Sequence, residues 1–116
     1  MRPDRLRLPD SLFPVQAFFN ALSNEDFVRI VSSLSTGVGA VVNEVSCLFP
    51  GDLDPTDEPF SGVEFSCGPD EIRLSRPEAA KYLKMAVEAH LLENPPDAEA
   101  LAGVIRRING EPSWRK

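Results

Sequence analysis

Residues 62–78 read GVEFSCGPDEIRLSRPE. From Gly62 to Cys67 apolar and polar residues alternate, with Val63, Phe65 and Cys67 on one side and Glu64 and Ser66 on the other. A period of two is that of a half-buried strand. Gly68, Pro69 and Asp70 suit a turn, and Glu71–Leu74 alternates again with Ile72 and Leu74 inward. The two runs pair most simply as an antiparallel hairpin. At Ser75 the pattern changes. Ser75-Arg76-Pro77-Glu78 is a capping box, with Ser75 as N-cap, Glu78 three positions on and a proline tolerated in the first turn. The spacing predicts a helix from Arg76 to about Glu93, with Tyr82, Leu83, Ala86, Val87, His90 and Leu91 forming its apolar stripe.

Working outward, Asn94-Pro95-Pro96 stops that helix, and Asp97 caps a last one over Ala98–Ile108, with Leu101, Val104, Ile105 and Ile108 inward. Toward the N-terminus, Pro14–Leu22 places Val15, Phe18, Phe19 and Leu22 at helical spacing. Ser23 caps a second helix over Asn24–Leu34, whose first turn holds Glu25 and Asp26, where the helix dipole favours acids. Gly37–Val42 carries two glycines and reads as a turn leading into a strand, for which Val45–Phe49 is the candidate. Pro50–Gly62, with three prolines and four carboxylates in thirteen residues, reads as an exposed loop, because unpaired charge at that density resists burial.

The expected order is α-α-β-β-β-α-α, an α+β fold in which a small antiparallel sheet is packed by N-terminal and C-terminal helix pairs. Residues 1–116 form a single domain, with 1–12 a flexible lead and 110–116 a loose tail. Phe18, Phe27, Ile30, Val63, Phe65, Ile72, Leu83, Val87, Leu101 and Ile105 are the expected core. A chain of this length can bury roughly two thirds of its unfolded surface. The hydrophobic content of 42% and charged content of 26% are those of a folded globular protein.

Composition narrows the chemistry. The net charge of −6 opposes direct binding to nucleic-acid phosphate. No run of 18 apolar residues exists to span a membrane. Met1–Asp10 lacks the apolar core of a secretion signal, so a cytoplasmic protein with Cys47 and Cys67 as reduced thiols is expected; a disulfide between them is the second choice. The single histidine, His90, sits mid-helix among apolar residues and reads as structural, leaving no base for a nucleophile. Asp52–Glu58 (DLDPTDE) alternates acids as calcium loops do. Yet the sixth residue counted from Asp52 is Asp57 and the twelfth is Val63, where an EF-hand needs Gly and Glu. Gly37-Val38-Gly39 lacks the lysine of a phosphate loop. No catalytic residue, metal site or cofactor is expected.

The charge pattern is the remaining signal. Between Arg29 and Arg73 there is no Lys or Arg, yet there are eight carboxylates: Glu44, Asp52, Asp54, Asp57, Glu58, Glu64, Asp70 and Glu71. Surfaces ordinarily mix signs, since crowded like charges repel. The bland reading is a solvated loop that keeps the protein soluble. The functional reading is an electrostatic plug for a basic cleft, with Leu53 and Phe60 as apolar anchors among the charges.

The ordered combination of Asp57, Glu58, Phe60, Gly62, Val63 and Phe65, then Glu71 and Ser75, then Tyr82, Leu83, Lys84 and Ala86, then Pro96 and Asp97, resembles the CdiI-type immunity proteins of contact-dependent growth inhibition systems. The resemblance covers about residues 16 to 108. It implies a non-enzymatic, cytoplasmic antidote that binds the C-terminal nuclease domain of a cognate toxin, most simply a ribonuclease. Joined to the charge pattern, it makes Asp52, Leu53, Asp54, Asp57, Glu58, Phe60, Glu64, Asp70 and Glu71 the expected partner-binding residues. The rival expectation is a protein-interaction adaptor that works through an apolar groove.

Overall fold

The computed structural model describes residues 6–50 and 62–110. A 3₁₀ turn at Asp10–Leu12 leads into α1 (Phe13–Ala21) and α2 (Asn24–Ser35). Four strands follow: β1 (Ala40–Val42), β2 (Val45–Leu48), β3 (Val63–Cys67) and β4 (Asp70–Leu74). Then come α3 (Arg76–Glu93), a second 3₁₀ turn (Pro95–Asp97) and α4 (Ala98–Gly110). The fold is α+β, as the sequence implies.

Local signals set most of these boundaries. The Ser23 hydroxyl accepts from the Asp26 amide at 3.2 Å and opens α2. The helix closes where the Gly37 amide donates to the Leu34 carbonyl at 2.9 Å, with Gly37 at φ +85°. At α3 both halves of the capping box form: Glu78 N–H donates to Ser75 Oγ at 3.2 Å, and Ser75 N–H to Glu78 Oε1 at 3.3 Å.

The strands form an antiparallel meander in the order β1-β2-β3-β4, so β1 and β4 are its edges. The register Cys47↔Phe65↔Ile72 and Val63↔Leu74 turns these side chains to one face. That face meets α1. Phe65 lies 5.8 Å from Phe18 and 5.8 Å from Phe19, centroid to centroid, and the two helix phenylalanines meet edge to face at 5.3 Å. The other face carries Ser46, Glu64, Ser66, Glu71 and Arg73, with Ser46 and Ser66 hydrogen-bonded through their hydroxyls. Cys47 and Cys67 are both free thiols on the core-facing side of neighbouring strands.

Away from the sheet, α2, α3 and α4 close a second part of the core around Phe27, Leu34, Leu83, Val87, Leu101 and Val104. His90 is 1% exposed and lies flat on Phe27, with centroids 4.2 Å and planes 13° apart. Its Nε2 meets Asp97 Oδ2 at 2.7 Å across the turn between α3 and α4. The structural reading of this histidine agrees with that packing. Of the expected core, Ile72 and Ile105 are half-buried; the other eight are buried.

The structure adds to the sequence reading in two places. The sheet has four strands rather than three, because the segment read as a turn ends in β1, which pairs with β2 through Asn43 and Glu44. Asn43 takes φ +54°, a conformation its short amide side chain tolerates, so no glycine marks this hairpin. The segment from Leu6 to Leu8, which the sequence suggests is part of a flexible lead, bonds to α1. Leu6 is 3% exposed; its amide donates to Asn20 Oδ1 and its carbonyl accepts from Asn20 Nδ2, both at 3.0 Å. The Leu8 amide donates to Gln16 Oε1 at 2.6 Å. Gln16 and Asn20, one helical turn apart on α1, form a polar rail that satisfies an extended segment's backbone.

Candidate functional site

Of the nine expected binding residues, Asp52, Leu53, Asp54, Asp57, Glu58 and Phe60 lie outside the described residues. Glu64, Asp70 and Glu71 lie within them, on β3 and β4, and their environments differ.

Glu64 is not a bare charge. Arg73 Nε donates to its Oε2 at 2.9 Å across the β3–β4 pair, and the Glu64 side chain is only 14% exposed. Its partner is the first basic residue after the acidic stretch.

Asp70 and Glu71 are exposed at the start of edge strand β4. They line a hollow of about 320 Å³ between β4 and the Asp10–Pro14 segment. Its apolar side is Phe13, Pro14 and Ile72; its carboxylates are Asp10, Asp70 and Glu71. Phe13 is 45% exposed, the largest side chain among the exposed apolar residues described. No basic side chain lines the hollow, and among the described residues none of the three carboxylates has an ion-pair partner. The tip of the β1–β2 hairpin abuts this end of the sheet, because the Gly68 amide donates to the Glu44 carbonyl at 3.0 Å, and Glu44 is exposed.

Sequence reading missed Asp10 and Phe13. Both fall outside the acidic stretch, and Phe13 precedes the Val15-Phe18-Phe19-Leu22 face that drew attention to α1. The available signal was an aromatic off the buried stripe beside an acid, which carries weight only once the fold sets it against β4.

A second groove runs between α2 and β1, lined by residues of Asp26–Ser33 and Gly39–Val42, among them Val41, 70% exposed. Its two charges cancel, since Arg29 Nη2 lies 3.2 Å from Asp26 Oδ1. Among the described residues no group of three or more His, Cys, Asp and Glu side chains is placed to hold a metal ion, and no helix is long and apolar enough to cross a membrane.

Beside its acids the hollow is lined by Ser11 and apolar side chains, with no His, Cys or Lys among them. It can receive cationic and apolar groups of another protein. Comparison with curated proteins gives no match. The family model for CDI immunity proteins matches residues 11–104, which take in α1, α2, the whole sheet, α3 and the first part of α4. On that match, the chain belongs to the CDI immunity proteins, which neutralise a cognate toxin of contact-dependent growth inhibition.

Proposed function

We propose that this immunity protein silences a nuclease toxin domain, a ribonuclease in the simplest case, by presenting an anionic surface to the basic cleft that binds nucleic acid. It acts as a stoichiometric inhibitor and catalyses nothing. The observation that carries the reading is the carboxylate-lined hollow at β4, where Asp10, Asp70 and Glu71 gather with no lining cation. The acidic residues Asp52, Asp54, Asp57 and Glu58, with Leu53 and Phe60 as anchors, extend the same charge in sequence. Clustered carboxylates imitate the charge of a phosphate backbone without offering a bond to cleave. The cytoplasm is the compartment in which such an antidote meets a toxin that attacks nucleic acid.

The test is inhibition of the purified toxin domain encoded beside this protein, measured on RNA and on DNA over rising salt. The protein should block cleavage, and affinity should fall steeply as salt rises. The Asp57→Lys/Glu58→Lys variant should bind more weakly and with a flatter salt dependence. Unchanged affinity and salt dependence in that variant would remove Asp57 and Glu58 from the mechanism. A toxin domain that cleaves neither RNA nor DNA would end the nuclease reading.

A further inference from the structure

We infer that the hollow between Asp10–Pro14 and β4 is an anchoring pocket for the toxin, taking an apolar side chain that is flanked by lysine or arginine, with Phe13 as the anchor on this side. The inference rests on the proposed acidic-surface reading and adds residues from the N-terminal segment, which the charge pattern does not include.

The hollow is built from two distant pieces of chain. Residues 6–9 are held on α1 by Asn20 and Gln16, which fixes the approach of Asp10 and Phe13 toward β4. Its chemistry is mixed in the way of a protein contact. Phe13, Pro14 and Ile72 give it an apolar lining, and Asp10, Asp70 and Glu71 give it charge. The energetically dominant residues of interfaces are commonly aromatic and sit inside a ring of polar contacts. A volume of about 320 Å³ has room for one or two side chains rather than a folded element. Charge then selects the occupant. Elsewhere in the fold Glu64 is matched by Arg73 at 2.9 Å, and Asp26 by Arg29 at 3.2 Å. Asp10, Asp70 and Glu71 are unmatched among the described residues, so a cation brought by a partner gains attraction without displacing an internal pair. The α2–β1 groove, whose charges are paired within the chain, offers no such selection.

Charged rims and apolar anchors leave different kinetic signatures. Rim charges act on the association rate and its salt dependence, whereas a buried anchor acts on dissociation. The experiment measures both rates by surface plasmon resonance, with the purified toxin domain encoded beside this protein, at about 0.05 to about 0.5 M salt. Phe13→Ser should speed dissociation about 10- to 30-fold with the salt dependence retained. Asp70→Asn/Glu71→Gln, on exposed side chains that leave folding intact, should slow association several-fold and flatten its salt dependence. Val41→Ser, in the lining of the other groove, should change neither rate. Thermal melts confirm that each variant is folded.

Wild-type rates in both hollow variants, with weakened binding by Asp57→Lys/Glu58→Lys, would overturn the pocket and leave the acidic-surface reading standing. Salt-independent binding by every variant and by the wild type would overturn both. An effect of the acids with none from Phe13→Ser would also overturn the anchor, since a flat charged patch would then suffice.

Discussion

Arg73 and Glu64 face each other across β3 and β4, joined by an Nε–Oε2 hydrogen bond of 2.9 Å. The pair closes one end of the acidic stretch from within, and it divides the carboxylates into those the fold uses and those it leaves to others. Glu64→Gln should therefore cost stability rather than binding. The arginine is half exposed, so the loss should be about 1 kcal/mol or less. Toxin affinity and its salt dependence should match the wild type. Chemical denaturation and the binding assay, run on the same preparation, check both halves of the prediction.

Gly62 should tolerate no side chain. It holds φ +85°, and a Cβ there would lie 2.1 Å from the Leu74 carbonyl oxygen. Positive φ and a backbone clash act together, at the point where β3 begins beside the end of β4. Gly62→Ala should destabilise by about 2–4 kcal/mol. Gly68 makes the contrast. Its φ is +58°, and a Cβ added there would meet nothing within 4 Å, so Gly68→Ala carries the conformational cost alone. Thermal or urea denaturation of the two variants should separate them by about 1–3 kcal/mol.

Much of this fold was legible from the chain, and the reason is local. The Val63–Leu74 alternation and the Ser75–Glu78 capping box are decided by residues within a few positions of one another, and both are found in place. β1 was hidden because three residues are too few to show a period, and because Asn43 adopts its positive φ without the glycine that usually announces a hairpin. Leu6 was hidden for another reason: its partner Asn20 is fourteen positions away, and nothing in the order of residues says that one amide side chain will satisfy both backbone groups. The site divides in the same way. Asp70 and Glu71 could be read from charge spacing, whereas Asp10 and Phe13 join them only through the tertiary arrangement.

The His90–Asp97 pair should behave as a unit in which the two single changes are unequal. His90 is 1% exposed and uses Nε2 on Asp97, while its Nδ1 has no hydrogen-bond partner among the described residues. Asp97→Ala would leave a buried imidazole with both nitrogens unpaired, at about 1–3 kcal/mol. His90→Phe keeps a ring against Phe27 and leaves Asp97, whose side chain is 36% exposed, to water. It should cost less than Asp97→Ala. The double variant should lie close to His90→Phe alone. Four denaturation curves make the cycle, and a coupling near zero would show that the pair contributes nothing as a pair.

The ordered N-terminal segment and the hollow should respond together to a single change on α1. Asn20 holds both backbone groups of Leu6, and Asp10 and Phe13 follow a few residues on. Asn20→Ala removes those two bonds and should cost about 1–3 kcal/mol of stability. Its larger effect should be on local opening. Amide exchange at Leu6 should rise towards the rate of a free segment, because residues 6–9 lose their rail on α1 while Phe18, Phe19 and Phe65 keep the helix seated on the sheet. If Phe13 and Asp10 bind toxin as a positioned pair, freeing the segment that precedes them should also speed dissociation, by less than Phe13→Ser does. Exchange at Leu6 as slow as in the wild type would mean that Leu6, 3% exposed, is held by its apolar burial alone and that the Asn20 bonds are incidental.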